Sequence, residues 1–256
     1  MNPALRVFLL LSGLFALALL TALPPWSLMG KANFVASGVC HRLPEHSLFF
    51  EGEQSPLCAR CTGTYLGLLL ATILLILRGK LKSGLFPPLK ISLALASFVI
   101  LWGVDGFNSF WDLWRGSPLL YAPSNGLRLV TGLFYGFSWG GWFIPFFNSI
   151  TFKNPTPRRS LENFRELALL VTVGVGSVAL IETRDPFLLY PLTFLSMVGP
   201  LLLLGTINAM LLKLALNLYP DGIEKGGEFL PLFSAGISAS LVEIAVLNLA
   251  RAALKL

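Results

Sequence analysis

Long apolar runs separated by short polar connections are the main feature of this sequence. Seven such runs follow one another: Val7–Leu23, Thr62–Leu77, Ile91–Val104, Leu129–Phe147, Leu167–Ile181, Phe187–Leu212 and Phe229–Leu249. A helix needs about 20 apolar residues to cross a bilayer, and none of the runs alternates as barrel strands do. The pattern predicts an all-α, polytopic membrane helix bundle of about seven transmembrane helices. Six is the alternative count, because Leu167–Ile181 has the most weakly defined ends.

The composition agrees with this pattern and excludes two other classes of protein. Of 256 residues, 55% are hydrophobic and only 12% are charged, which is about half the charged fraction usual for a soluble domain. An ordinary soluble enzyme and a disordered chain are therefore excluded. Arg6 precedes the first apolar run, and Pro24 and Pro25 end it where a cleavable signal would carry small residues. We therefore expect an uncleaved anchor helix at the N-terminus.

Lysine and arginine residues in the connections predict the orientation. The two densest basic connections, Arg78–Lys90 and Lys153–Arg165, both lie inside the cell if the N-terminus is cytoplasmic. This places the chain in the plasma membrane with its C-terminus outside, and it makes the longest connection, Pro24–Cys61, extracytoplasmic. The net charge of +6 is then explained by topology and by attraction to anionic lipid headgroups. The expected partners are the lipid bilayer and a metal ion, with no nucleic acid, because no nucleic-acid-binding motif accompanies the charge.

All three cysteines and both histidines of the chain fall within this outer connection. Cys40, His41, Cys58 and Cys61 match the ligand count of a tetrahedral Cys3His zinc site, and Cys58-x-x-Cys61 can direct two sulfurs at one ion. A disulfide, a redox-active dithiol and inert buried thiols are the alternatives. Since Cys40 and His41 are neighbours, one of them can bind while the other only supports a ligand. His46 is interpreted as a surface or network histidine.

The residues around these cysteines resemble those of a known family. The stretch from Gly38 to about Gly140 combines Cys40-His41-Arg42-Leu43-Pro44-Glu45-His46-Ser47, Pro56-x-Cys58-Ala59-Arg60-Cys61-Thr62-Gly63 and a later block with Asp105-Gly106, Ser124-Asn125 and Arg128. This combination is similar to the domain of unknown function 2085 family of predicted integral membrane proteins. The resemblance implies a membrane protein with a shared Cys/His loop and no established reaction. The sequence departs from the family pattern at His46, where an arginine is expected.

The later block predicts a second polar cluster. Asp105 ends the third run and Arg128 opens the fourth, so both lie near the outer face, and an unpaired charge at that depth is costly. We expect an ion pair between them, with Asn125 as the N-cap of the fourth helix. Asp105, Asn125 and Arg128 either form one site beneath the Cys/His loop or clamp two helices. In the last run, Glu243 is an intramembrane carboxyl group of the kind found on transport paths.

The sequence thus divides into three parts: an anchor helix with the start of the outer loop (1–37), a family-like core with the Cys/His loop and helices two to four (38–148), and C-terminal membrane helices (149–256). Its predicted function is an extracytoplasmic transition-metal site, zinc by ligand type, that is structural or metal-handling. The alternative is a membrane thiol–disulfide oxidoreductase using Cys58 or Cys61 with Cys40. A weaker alternative is a transporter or lipid-handling protein using Asp105, Arg128 and Glu243. No motif names a reaction, so whether the protein is an enzyme stays open.

Overall fold

The computed structural model describes residues 1–254, and these are predominantly helical. The helices are α1 (Pro3–Ala22), α2 (Leu28–Val39), α3 (Ala59–Leu77), α4 (Leu89–Arg115), α5 (Asn125–Thr151), α6 (Phe164–Glu182), α7 (Leu189–Ala215) and α8 (Leu230–Leu254). Four short strands complete the described part: β1 (Ser47–Phe50), β2 (Glu53–Cys58), β3 (Ser83–Leu85) and β4 (Thr156–Arg159). Strands β1 and β2 form an antiparallel hairpin, and β3 pairs in parallel with β4. The predicted all-α, polytopic membrane bundle is confirmed.

Each of the seven predicted runs coincides with one long helix. Among residues 1–254, six helices are long and apolar enough to cross a membrane: α1, α3, α4, α6, α7 with its preceding turn, and α8 with its preceding turn. Helix α6, which corresponds to the run with the most weakly defined ends, is one of these six candidate membrane spans, whereas α5 is not. Glycine, tryptophan and tyrosine lower the hydropathy of α5, and its residues Leu129, Leu133 and Phe137 are fully buried by neighbouring helices. A helix enclosed by protein does not need a lipid-like surface.

The connection between α1 and α3 is more regular than the sequence predicts. Ser27 accepts a hydrogen bond from the Gly30 amide and begins α2, which at 12 residues is too short to span a bilayer. The β1–β2 hairpin turns at Glu51 and Gly52, which both have positive φ (48° and 87°). This is the backbone of a type I′ turn, the two-residue turn that matches the twist of paired strands.

The chain divides into two compact units. The first contains Met1–His41, Ser149–Asn154 and Ser196–Leu256, and the second contains Arg42–Asn148 and Pro155–Leu195. In the first unit α8 packs against α1 and α2, and the Ser234 hydroxyl donates to the Leu10 carbonyl (2.9 Å). The three-part division made from the sequence stays a prediction, and the last two residues of its C-terminal part lie outside the described residues.

In the second unit, α3 and α5 touch backbone to backbone. A Cβ atom added to Gly63 would lie 2.1 Å from the Leu129 carbonyl oxygen, and one added to Gly132 would lie 2.1 Å from the Arg60 carbonyl oxygen. Gly67 and Gly136 make the equivalent contact one turn further along. Small residues four apart allow this approach. The contact places the first turn of α3, which carries Arg60 and Cys61, directly beside the first turns of α5.

Candidate functional site

Cys58 and Cys61 lie at the start of α3. Cys58 is the last residue of β2 and the N-cap of α3, and Cys61 follows within the first turn of the helix. Cys58 is buried and Cys61 is half-buried. A helix N-terminus carries partial positive charge, so it is a favourable place for a negatively charged metal site.

Cys40 ends the helix that precedes the hairpin. It is the C-cap of α2, it is buried, and its backbone is extended (φ −139°, ψ 141°). Two residues later, Arg42 adopts a positive φ of 55° and turns the chain. The Arg42 carbonyl accepts a hydrogen bond from Gln54 Nε2 (3.0 Å), and the Arg42 side chain donates through Nε to the Pro56 carbonyl (2.9 Å). The chain just after Cys40 is therefore tied to the strand that leads into Cys58.

The three cysteine sulfurs form one group. Each lies within 4.8 Å of the other two, and no disulfide bond occurs among the described residues. In a tetrahedral zinc site with Zn–S distances of about 2.3 Å, sulfurs lie about 3.8 Å apart. An approach of about 1 Å or less would thus bring the three thiolates to coordinating distance.

The two histidines do not join this group. The His41 side chain is exposed while Cys40 is buried, as expected for neighbours on extended backbone, whose side chains point in opposite directions. His46 lies in the short turn before β1 and is 8% exposed, so it is a buried residue and not a surface one. Three sulfurs are therefore grouped, and the histidine predicted as the fourth ligand lies outside the group.

Two buried hydroxyl groups flank the Cys58–Cys61 pair in sequence. Ser55 Oγ and Thr62 Oγ1 are both buried and have no hydrogen-bond partner within the described part of the chain. Thr62 is four residues after Cys58 and hence on the same side of the first turns of α3. A buried donor without an acceptor is costly. Neither hydroxyl donates to a cysteine sulfur within the described part of the chain.

Arg60, between the two cysteines, anchors this turn to α4. Its Nη2 lies 2.5 Å from Asp105 Oδ2, its Nε lies 3.1 Å from the same oxygen, and Nη2 also donates to Ser109 Oγ (3.0 Å). Asp105 is 1% exposed and accepts further hydrogen bonds from Thr131 Oγ1 and the Tyr121 hydroxyl, each at 3.0 Å. A buried carboxylate needs such full pairing. Burial and the bond to Asp105 raise the pKa of Tyr121 to about 12.

Arg128 lies beside this cluster but does not take the predicted role. Within residues 1–254 the ion-pair partner of Asp105 is Arg60 and not Arg128. Arg128 Nε instead donates to Ser109 Oγ (3.4 Å), and its Nη1 donates to Asn125 Oδ1 (2.8 Å). Arg60 thus takes the place at Asp105 that the sequence predicted for Arg128.

Asn125 connects Arg128 to the hairpin. The sequence predicted Asn125 as the N-cap of α5, but it is the first residue of that helix. Ser124 caps the helix instead, because its Oγ accepts a hydrogen bond from the Leu127 amide (3.2 Å). Asn125 Nδ2 donates to the Ser47 carbonyl (2.9 Å), and Ser47 pairs with Cys58 across the β1–β2 ladder. A continuous set of polar contacts thus runs from Arg128 to the backbone beside Cys58.

Comparison with known proteins identifies the family to which the chain is similar. The family model described as a predicted membrane protein (DUF2085) matches residues 40–141. An uncharacterised protein of Methanocaldococcus jannaschii is 32% identical over 119 residues, which are 46% of this chain and 70% of that protein. The chain belongs to the DUF2085 family. An uncharacterised protein of Methanothermobacter thermautotrophicus is 32% identical over 96 residues, or 37% of this chain and 75% of the relative. No solved structure matches.

The family segment contains Cys40, the hairpin, Cys58, Cys61 and the polar cluster, whereas Glu243 lies outside it. Glu243 is on α8, in the first unit, where its Oε2 accepts from Asn208 Nδ2 (3.0 Å). The same amide nitrogen donates to Ser240 Oγ (3.1 Å). Glu243 is thus tied to α7 and takes no part in the cysteine group.

Sequence reasoning missed four residues that surround Asp105: Arg60, Ser109, Tyr121 and Thr131. Arg60 carries a signal that could have been used, because it lies inside the Cys58-x-x-Cys61 motif, two residues from one sulfur and adjacent to the other. Ser109 is four residues after Asp105 and so shares its helix face. Tyr121 has no such signal, since only the fold of the α4–α5 connection brings it to Asp105.

Proposed function

We propose that this multi-pass membrane protein binds one transition-metal ion, zinc by its ligand chemistry, through Cys40, Cys58 and Cys61. The observation that carries the proposal is the group of three sulfurs within 4.8 Å of one another. Thiolates select zinc among the common divalent ions, and three of them with one further ligand complete a tetrahedral site.

The charge of the neighbouring polar cluster supports thiolate ligands. Arg60, Arg128 and Asp105 are all largely buried, and together they carry one net positive charge. A zinc ion with three thiolates carries one net negative charge. In a medium of low dielectric constant, opposite charges of this kind stabilise each other far more than in water. The cluster thus fits a metal–thiolate centre better than neutral thiols.

The fourth ligand decides whether the site is structural or metal-handling. If the exposed His41 turns inward, four protein ligands close the site, which is typical of structural zinc. If water takes the fourth position, the ion stays open to exchange, as in sites that react with or pass on a ligand. The extended backbone at Cys40 directs His41 away from the sulfurs, which favours the open form.

The proposed location of the site is the extracytoplasmic face. In the second unit, the first turn of α3 and the last turns of α4 share one end, whereas Lys80, Lys82, Arg158 and Arg159 lie at the other. Basic residues are enriched on the cytoplasmic side of membrane proteins. The cysteine end is therefore assigned to the outside.

Metal analysis with thiol counting tests the proposal. We expect about one zinc per chain in the purified protein and none in the Cys58→Ser/Cys61→Ser variant, because too few ligands remain. His41→Gln and His46→Gln form a matched pair: loss of affinity only in His41→Gln identifies a closed site. A protein without metal that gains two thiols on reduction would instead contain a disulfide, and the metal proposal would fail.

Labelling in intact cells tests the location separately. After chelation of metal, a membrane-impermeant maleimide is expected to modify Cys61, the most exposed of the three cysteines. The variant with all three cysteines replaced by serine is the control for background. Labelling only after the membrane is permeabilised would place the site on the cytoplasmic side.

A further inference from the structure

The C-terminal end of α2, which presents Cys40, leaves backbone carbonyl groups without helical partners. The last four carbonyls of any α-helix lack an amide donor from the following turn. The Cys40 amide still donates to the Ala36 carbonyl (2.8 Å), so Cys40 closes the helix. The carbonyls beyond that point need donors from elsewhere.

Those donors come from the far end of the chain. Arg251 Nη1 donates to two of them, the carbonyls of Ser37 and Cys40, the latter at 2.8 Å. Asn248 Nδ2 donates to the Phe34 carbonyl (2.9 Å), which lies one turn earlier in the helix. The two donor residues are three apart on α8, and the three acceptors are spaced by three along α2. Each set therefore lies on one face of its helix.

Close packing keeps α8 at this distance from α2. A Cβ atom added to Gly38 would lie 2.9 Å from both Cγ1 and Cγ2 of Ile244 and 3.1 Å from its Cα. Val35 and Ile244 are fully buried in the same contact. Arg251 is thus held beside Cys40 by packing that does not involve the cysteine itself.

We propose that Arg251 is a positioning residue for the Cys40 ligand, so that the C-terminal helix completes a metal site whose three cysteines lie within the family segment. This inference rests on the proposed function. The bond to the Cys40 carbonyl fixes the peptide plane between Cys40 and His41, and hence the direction in which the sulfur points. The guanidinium group also places a positive charge beside a thiolate ligand, which favours retention of the metal–thiolate centre. Residues outside the ligand set commonly act in this way.

Cobalt and zinc binding to the purified full-length protein tests the inference. Arg251→Met removes both hydrogen bonds, Arg251→Lys keeps a charge and a donor, and Asn248→Leu removes only the neighbouring contact to Phe34. We expect Arg251→Met to lower zinc affinity, measured by chelator competition, about 10- to 100-fold. Its cobalt spectrum should lose thiolate-to-metal charge-transfer intensity. Arg251→Lys should recover a large part of the zinc affinity and of the charge-transfer intensity. Asn248→Leu should have values of both close to those of the wild type.

The outcomes separate this inference from the function on which it rests. Equal zinc affinity and an unchanged cobalt spectrum in Arg251→Met would overturn the positioning role while leaving the metal site intact. An equal loss in Asn248→Leu would also overturn it, because general docking of α8 would then be sufficient. A wild-type protein that binds neither ion would reject both proposals.

Discussion

The second unit contains two buried ion pairs that differ in how their charge is balanced. At one end, Lys80 Nζ lies 2.6 Å from Glu166 Oε1 and 3.2 Å from Glu162 Oε1. At the other end, Asp105 pairs with Arg60, and Arg128 adds a second arginine. Lys80 and Glu166 are each 7% exposed by side chain and neutralise each other, while Glu162 is 46% exposed and reaches water.

This difference separates a structural clamp from a candidate site. The Lys80 cluster satisfies its own charge and ties the end of α3 to the start of α6, so it needs nothing more. The Arg60 cluster keeps an excess of buried positive charge next to the turn that carries Cys58 and Cys61. Such an excess is costly unless an anion lies nearby, and cysteine thiolates are the anions that the sequence places there.

The largest effect on stability is expected at the clamp. Lys80→Met leaves the buried Glu166 carboxylate without its counter-ion, which should lower the free energy of unfolding by about 3–5 kcal/mol. Thermal unfolding in detergent measures the change, and exposed Lys82→Met is the matched control. Zinc bound per folded chain should be unchanged. A loss of zinc in Lys80→Met would remove the distinction between the two clusters.

A smaller effect is expected at the Arg60 cluster, where the affinity for zinc should change. Arg60→Met removes the positive charge between the two cysteines while Asp105 keeps its hydrogen bonds from Tyr121 and Thr131. Zinc affinity should fall about 10- to 100-fold, which is about 1.4–2.8 kcal/mol. Chelator competition measures it. Unchanged affinity would show that the arginine excess does not support the thiolates.

The smallest effect is expected at Tyr121. Tyr121→Phe removes one hydrogen bond to Asp105 and should cost about 1 kcal/mol. The folded protein raises the pKa of Tyr121 from 10.0 to about 12, so its contribution is complete below pH 10 and is lost as the pH rises toward 12. The stability of the wild type should thus fall across this range more than that of Tyr121→Phe. Exposed Tyr190→Phe should keep the wild-type pH dependence, and a parallel curve for Tyr121→Phe would contradict the assignment.

The membrane helices could be predicted from the sequence because apolar runs are a local property. The seven runs appear as α1 and α3–α8. The four-residue spacing of Gly63–Gly67 and Gly132–Gly136 is likewise a local signal, and it coincides with the close packing of α3 and α5. Helix α2 and the β1–β2 hairpin were missed because both are short. The Glu51-Gly52 turn was their clearest local signal.

Partners in the polar cluster could not be predicted in the same way. Asp105 and Arg128 are both buried, but the predicted pair between them was wrong. The choice of Arg60 as the partner of Asp105 depends on how closely α3 approaches α4 and α5. That distance follows from backbone contacts between glycines of different helices. Likewise, Arg251 and Cys40 are 211 residues apart, and only the packing of α8 on α2 joins them.

X-ray absorption at the zinc edge of the purified wild-type protein tests the metal–thiolate centre most directly. We predict three sulfur atoms at about 2.3 Å and one nitrogen or oxygen atom at about 2.0–2.1 Å from the zinc ion. A zinc shell of nitrogen and oxygen alone, or a protein that contains no zinc, would contradict the assignment of Cys40, Cys58 and Cys61 as its ligands.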